Sequence, residues 1–281
     1  MDPQPLPPPT RITSADDPRT ADYRELRDRD LAARRDAFVV EGAFALGAML
    51  AADRFALRSV FVTDSRLPAL AGLLRAVTAP IYTASLDLMR GIVGFPLHRG
   101  VLAIGERGRP HDAGALLAGL GPGPRTVLAL CGVNNHDNIG GAFRNAAAFG
   151  VDAVLLDDVA SDPLYRKAIR VSAGGVLTLP YARAGRALEL VALCRRLGFA
   201  TVALTPRAGA RDLEDVLPEL GARVVVCAGS EEPGLDAAVL AAADHAARID
   251  IVSTFDSLNV ATASGIALHA VRSRRRRLAP G

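Results

Sequence analysis

Asn134-Asn135-His136-Asp137-Asn138-Ile139-Gly140-Gly141-Ala142-Phe143-Arg144-Asn145-Ala146 follows an apolar run at 126–133 and leads into an alanine-rich segment closed by Gly150. The order reads as strand, polar loop, glycine pair, then helix. Ligands of open α/β sheets bind in the crevice outside the carboxyl ends of the strands. Asn138 and Arg144 therefore fall beside a predicted pocket. Arg144 has no acidic partner in its immediate surroundings. Its planar guanidinium fork suits a phosphate or carboxylate guest.

Downstream the rhythm is regular. Apolar runs at 126–130, 153–156, 201–204 and 224–228 alternate with helical patterns at 141–149, 164–169, 188–197, 236–243 and 258–272. Uninterrupted apolar strands are the pattern of a parallel sheet covered on both faces. Two more polar loops end apolar runs or open helices. They are Gly229-Ser230-Glu231-Glu232-Pro233-Gly234-Leu235 and Asp256-Ser257-Leu258-Asn259-Val260. Taken singly, each has an ordinary structural reading: turn glycines, a carboxylate in a first helical turn, Ser257 or Asn138 as a helix cap. Three such loops at one sheet edge form a cup for a polar ligand.

Upstream, shorter strands at 38–40, 59–62, 81–82 and 101–104 are interleaved with helices at 43–52, 69–77 and 85–91, after a charged helical pattern at 22–36. The expected organisation is a disordered, proline-rich tail at 1–12, a small α/β domain at 13–105, a linker at 106–124, a larger α/β domain at 125–272 and a basic tail at 273–281. The linker assignment rests on five glycines and three prolines within 106–124.

The 281-residue chain carries a net charge of only +3, but the charge is unevenly spread. Arg272, Arg274, Arg275, Arg276 and Arg277 form one cluster; Arg24, Arg27, Arg29, Arg34 and Arg35 form another. Such clusters favour nucleic acid or an acidic membrane surface. Cys131, Cys194 and Cys227 lie far apart in or beside apolar segments, which reads as buried reduced thiols. The five histidines have no metal-ligand spacing, so no metal is expected. No signal-peptide core and no spanning apolar run of roughly 20 residues is present, which leads us to expect a cytoplasmic protein with no membrane partner. A dinucleotide site, with Asp157 or Asp158 as its ribose acid, lacks its glycine fingerprint. A Walker A loop is absent as well.

The three loops, in this order, resemble the SpoU-type (TrmH) family of RNA ribose 2′-O-methyltransferases. Asn138-x-Gly140-x-x-x-Arg144 is similar to the first family motif, Gly229-Ser230-Glu231-x-x-Gly234-Leu235 to the second and Ser257-Leu258-Asn259-Val260 to the third. Arg170-Val171-Ser172-Ala173-Gly174 and Leu179-Pro180 add to the likeness, which covers 125–272. Glu41-Gly42 and His98-Arg99-Gly100-Val101-Leu102-Ala103 liken the N-terminal part to the family's substrate-binding domain. Departures are Asn134-Asn135 in place of Asp-Pro, Ile249-Asp250-Ile251 in place of Ile-Pro-Met, and Glu232 where glycine is common.

The resemblance implies a fold and a function together. The fold is α/β: a C-terminal knotted parallel-sheet methyltransferase domain preceded by a small α/β RNA-binding domain, assembled as a homodimer. The activity is transfer of a methyl group from S-adenosylmethionine to a ribose 2′-hydroxyl of structured RNA. The added N-terminal domain points to ribosomal RNA more than to transfer RNA. A non-catalytic RNA-binding protein retaining the fold is the alternative. By motif position Arg144, Asn138, Glu231, Ser257 and Asn259 form the catalytic set, and Gly229, Ile249, Ile251 and Leu258 hold the cofactor.

Overall fold

The structure, a computed structural model, describes residues 6–24, 36–95, 97, 99–252 and 254–278. The chain forms two compact units, Met1–Arg109 with Leu164–Thr178, and Pro110–Pro163 with Leu179–Gly281. Most of the charged helical pattern at 22–36, with Arg27, Arg29, Arg34 and Arg35, lies outside the described residues, as does His98.

The first unit is built on a five-stranded sheet in the order β1-β4-β3-β5-β2. Its strands are β1 Thr10–Arg11, β2 Ala37–Glu41, β3 Leu57–Thr63, β4 Ile81–Ala84 and β5 Val101–Glu106. Strand β5 runs antiparallel to both β2 and β3, and the other pairs are parallel. Helices α1 Ala43–Ala52, α2 Leu67–Leu74 and α3 Leu86–Val93 connect them. The start and stop of α3 follow from local chemistry. Ser85 Oγ accepts from the Leu88 N–H, and Gly94 closes the helix in the left-handed conformation.

Two expectations change here. Residues 10–12 are not a disordered tail: β1 pairs with Tyr82 and Thr83 of β4, and Ile12 is 1% exposed. A single isoleucine among polar residues shows no period, yet it joins Tyr23 and Phe61 in the core. The segment 164–178 also belongs to this unit rather than to the larger one. Its two short helices, Arg166–Val171 and Gly175–Thr178, pack on β2 and α1. Between them the buried Ser172 Oγ donates to the Ile169 carbonyl (2.9 Å) and accepts from the Val176 N–H (3.3 Å). The Arg166 guanidinium lies 3.8 Å from the centre of the Phe95 ring.

The second unit is an eight-stranded, wholly parallel sheet in the order β11-β13-β10-β12-β7-β8-β9-β6. Its strands are β6 His111–Asp112, β7 Arg125–Cys131, β8 Ala153–Leu156, β9 Tyr181–Arg183, β10 Ala200–Leu204, β11 Arg211–Asp212, β12 Arg223–Gly229 and β13 His245–Arg248. The main helices are α4 Ala113–Gly119, α5 His136–Ala148, α6 Ala187–Arg196, α7 Ala237–Ala242 and α8 Val260–Leu278. From β7 the chain builds outward through β8 and β9, then returns to place β10 and β12 on the other side. The order reverses between β7 and β12, which is where a doubly wound sheet opens a ligand crevice. Those two strands pair over seven residues, from Arg223↔Arg125 to Gly229↔Cys131.

Helices α4, α6 and α7 cover one face, and their buried residues share a core with Val127, Ala129, Ala153 and Val225. Helix α5 packs against α8, and α8 packs on β12. Part of the expected linker is structured, since β6 and α4 belong to this unit. The expected basic tail is helical through Leu278, so the arginines at 274–277 are the last turns of α8. Strand β13 escapes notice in the sequence because His245-Ala246-Ala247-Arg248 is not apolar-periodic, and of the four only Ala247 is buried. All three cysteines are buried and free. Burial pushes the Cys131 and Cys194 thiols up to about 12, which leaves them inert at neutral pH.

Candidate active site

The decisive stretch folds differently from its sequence reading at one point. Helix α5 begins at His136, not after the glycine pair, because Asn135 caps it: its Oδ1 accepts from the Asp137 N–H at 2.8 Å. Asp137 then sits in the first turn, where the helix dipole favours a carboxylate. Asn138 is therefore a first-turn helical residue, 8% exposed, rather than a loop residue. Gly141 serves helix packing. A Cβ there would lie 2.8 Å from that of Ala261, so the missing side chain is what lets α5 approach α8. Asn145, one turn further on, donates from Nδ2 to the Ala261 carbonyl at 2.6 Å.

The loop between β7 and α5 is held from the side by β8. Asp157, at the end of β8, accepts from the Gly132 N–H (2.8 Å) with one oxygen and from the Ala160 N–H (2.8 Å) with the other. Ser161 Oγ donates to the Asn134 carbonyl. Arg183 donates to the carbonyls of Asp157 and Ala160. Asp157 thus works on backbone, and its carboxylate is already engaged in the way a ribose-binding acid would need to be free.

Three side chains from the three loops meet. Asn138 Nδ2 donates to Glu231 Oε1 at 3.1 Å, Asn259 Nδ2 donates to the same oxygen at 2.8 Å, and Asn259 Nδ2 also donates to Asn138 Oδ1 at 2.8 Å. Asn259 does a second job with its oxygen, accepting from the backbone N–H groups of Ala261 (2.9 Å) and Thr262 (3.4 Å). It is the cap of α8, a role the sequence offered to Ser257. One amide thus ties the helix start to the carboxylate, and the two amides hold each other's orientation.

Beside this triangle lies a cavity of about 150 Å³. Its apolar wall includes Leu204, Ala228, Leu235, Ala247 and Val260. Gly229, Ile249, Ile251 and Leu258 all line it, as do Glu231 and Ser257. Gly229 is required by close approach: a Cβ would stand 2.6 Å from the Leu235 nitrogen, where the 229–235 loop folds back. Thr205 and Arg207, at the end of β10, also line the cavity and were not anticipated. Their only sequence signal was position, since 205–207 follows an apolar run as the other three loops do.

Arg144 stands apart. It is exposed and is not among the cavity-lining residues, and among the described residues it has no recorded hydrogen bond or ion pair. Six residues along α5 place it about 9 Å from Asn138 along the axis and on another face. The structure brings Asn138, Glu231 and Asn259 together, sets Ser257 on the cavity wall, and leaves Arg144 facing solvent.

Comparison with known proteins is consistent across the chain. Residues 125–269 match the model of the SpoU rRNA Methylase family. An uncharacterized tRNA/rRNA methyltransferase of Mycobacterium tuberculosis is 40% identical over 276 residues, 96% of this chain and 94% of the relative. The 23S rRNA (guanosine-2′-O-)-methyltransferase RlmB of a Burkholderia species is 31% identical over 76% of this chain and 86% of its own length. In fold, the chain is similar to the AdoMet-bound rRNA methyltransferase of Sinorhizobium meliloti, with a TM-score of 0.80 at 24% identity over 96% of this chain and 99% of that one.

Proposed function

We propose a reaction for this chain from one established premise: it belongs to the SpoU rRNA methylase family. It is an RNA methyltransferase, and its methyl donor is S-adenosylmethionine. The finer reading is that the methyl group goes to a ribose 2′-hydroxyl of structured RNA, ribosomal rather than transfer RNA. The observation that carries this reading is the triangle of Asn138, Glu231 and Asn259 at the wall of the cavity. The activity of the Burkholderia relative, guanosine 2′-O-methylation of 23S rRNA, supports it.

The cavity fits the donor. Its apolar walls suit a purine and a methionine chain, Gly229 lets backbone approach closely, and the Glu231 carboxylate favours a sulfonium cation. Gly229, Ile249, Ile251 and Leu258 hold the cofactor. When bound, S-adenosylmethionine supplies an electrophilic methyl group. The protein's task is then to orient a hydroxyl and dispose of its proton. Holding reactants in near-attack geometry lowers such barriers by several kcal/mol, roughly 7–11 in the best cases.

Glu231 fixes the two amides, Asn259, with its amide so engaged, positions the 257–259 loop, and Ser257 orients the ribose. Arg144 remains protonated and cannot act as a base. It holds an RNA phosphate and stabilises charge developing on the attacking oxygen, while a phosphate oxygen or solvent takes the proton. A nucleotide's 3′-phosphate is vicinal to its 2′-hydroxyl, so an arginine that holds that phosphate also lies near the reacting oxygen. The first unit recognises the RNA fold, which proteins read through shape, loops and 2′-hydroxyls. The assembly is a homodimer with a knotted C-terminal trace, and it works in the cytoplasm.

The test is incubation with labelled donor and total RNA from a strain lacking the enzyme, followed by mapping of the label. Label on a ribose of ribosomal RNA is the expected result. Label on a base, or on transfer RNA alone, would overturn the finer reading.

A further inference from the structure

The amino end of the central strands, opposite the cavity, collects arginines that the methyl-transfer site does not use. Arg125 and Arg223 open β7 and β12 and are direct partners in register. Each spends its guanidinium on backbone carbonyls: Arg125 on Leu120 (2.6 Å), Arg223 on Gly121 (2.7 Å). The last turns of α8 arrive at the same edge. Arg274 donates to the Leu220 carbonyl, and Arg275 donates to that of Ala222 at 2.7 Å. Arg272, one turn earlier, donates to the Phe149 carbonyl that ends α5, at 3.0 Å.

Carbonyls are neutral acceptors. These bonds fix where the guanidinium groups sit and cancel none of their charge. The carboxylate that faces the cluster is Asp152, 3.6 Å from Arg125, and it also accepts from the Thr126 N–H. Among the described residues no ion pair is recorded for any arginine from 272 to 277. Desolvation holds the Arg275 guanidinium below its ordinary pKa; Asp152 opposes this, and repulsion from Arg274 and Arg125 adds to it. Arg276 and Arg277 stand exposed beside these anchored groups. Folding has therefore packed several like charges around one carboxylate, Asp152, and left the edge net cationic. A polyanion laid across this edge relieves that repulsion and releases its own counterions.

We propose that the carboxyl-terminal turns of α8, with the amino ends of β7 and β12, form a second RNA-backbone contact surface, separate from the methyl-transfer site. The planar arginine fork is suited to phosphate oxygens. The choice of RNA over other polyanions rests on the activity proposed above. The surface contributes affinity without reading sequence, since phosphate contacts position rather than specify.

The double variant R276A/R277A tests it, because both side chains are exposed and neither anchors a carbonyl. RNA binding of the full chain is measured by filter retention against salt concentration, beside R276K/R277K. The alanine variant is expected to bind RNA about tenfold more weakly at physiological salt, with the slope of log K against log salt shallower by between about 1 and 2. The lysine variant keeps most of the slope. Donor binding and kcat at saturating RNA stay at wild-type values, so the loss appears in KM. An unchanged affinity and slope in the alanine variant overturns the surface, whatever the activity. Tighter binding to phosphatidylserine vesicles than to RNA, lost in the same variant, overturns RNA as the partner. If the wild type binds RNA through these residues yet transfers no methyl group, the proposed reaction fails and the surface stands.

Discussion

The two ends of the second unit's sheet use polar residues in opposite ways. At the carboxyl end, Asn138, Glu231 and Asn259 satisfy one another, and their hydrogen bonds fix orientation beside an apolar cavity. At the amino end, Arg125, Arg223, Arg274 and Arg275 are anchored by carbonyls, which fixes position and leaves net charge. The first arrangement is built for geometry and the second for field. A mutually hydrogen-bonded network can hold a reacting group in place. A net cationic edge attracts a polyanion from a distance but discriminates little.

The sharpest way to break this contrast is Arg144, which belongs to neither end. Arg144→Ala is expected to lower kcat by about 100-fold or more, the scale of losing one transition-state charge donor, with donor affinity nearly intact. Full activity in that variant, measured with saturating donor and RNA, sinks its assignment. Gly229→Ala attacks the geometric end directly, since its Cβ would meet the Leu235 nitrogen at 2.6 Å. Calorimetry should show donor binding weakened by about tenfold, given overpacking costs of roughly 1–3 kcal/mol. An unchanged donor Kd removes the close loop approach from the account of the cavity.

Gly141→Ala probes the support beneath that end, the α5–α8 contact, where the added methyl would stand 2.8 Å from Ala261. Urea unfolding should register a loss of about 1–3 kcal/mol. No loss means that α8 can shift without cost. The smallest effect concerns the thiols between the two ends. With Cys131 and Cys194 pushed up to about 12 by burial, they stay protonated through pH 9, and the thiolate that alkylates is scarce. Iodoacetamide at pH 8 is expected to label the native chain negligibly and the urea-unfolded chain at all three cysteines. Rapid native labelling contradicts a closed core.

Much of the second unit is legible in sequence because its strands are apolar runs and a buried parallel strand can be little else. The predicted 153–156 coincides with β8, and 43–52 in the first unit coincides with α1. The misreadings share a cause. Asn135, His136 and Asp137 look like loop because first-turn helix residues and loop residues are chemically alike. The glycine pair looks like a turn because Ala261, which explains Gly141, is 120 residues away. Strand β1 and the arginines of α8 were read as tails for want of local periodicity, while their partners, β4 and residues 220–222, are distant in sequence.

By itself the sequence determined the alternation of strand and helix, the three loops that carry the chemistry and the family they resemble, since periodicity and motif are local properties. Tertiary structure alone decided that Asn259 rather than Ser257 caps α8, that Asp157 is occupied by backbone and that 164–178 joins the first unit. It also decided that Arg144 faces solvent while its motif partners interlock. Those outcomes depend on which groups meet across long stretches of chain, and hydrogen bonds, unlike apolar periodicity, are assigned only when both partners are in place.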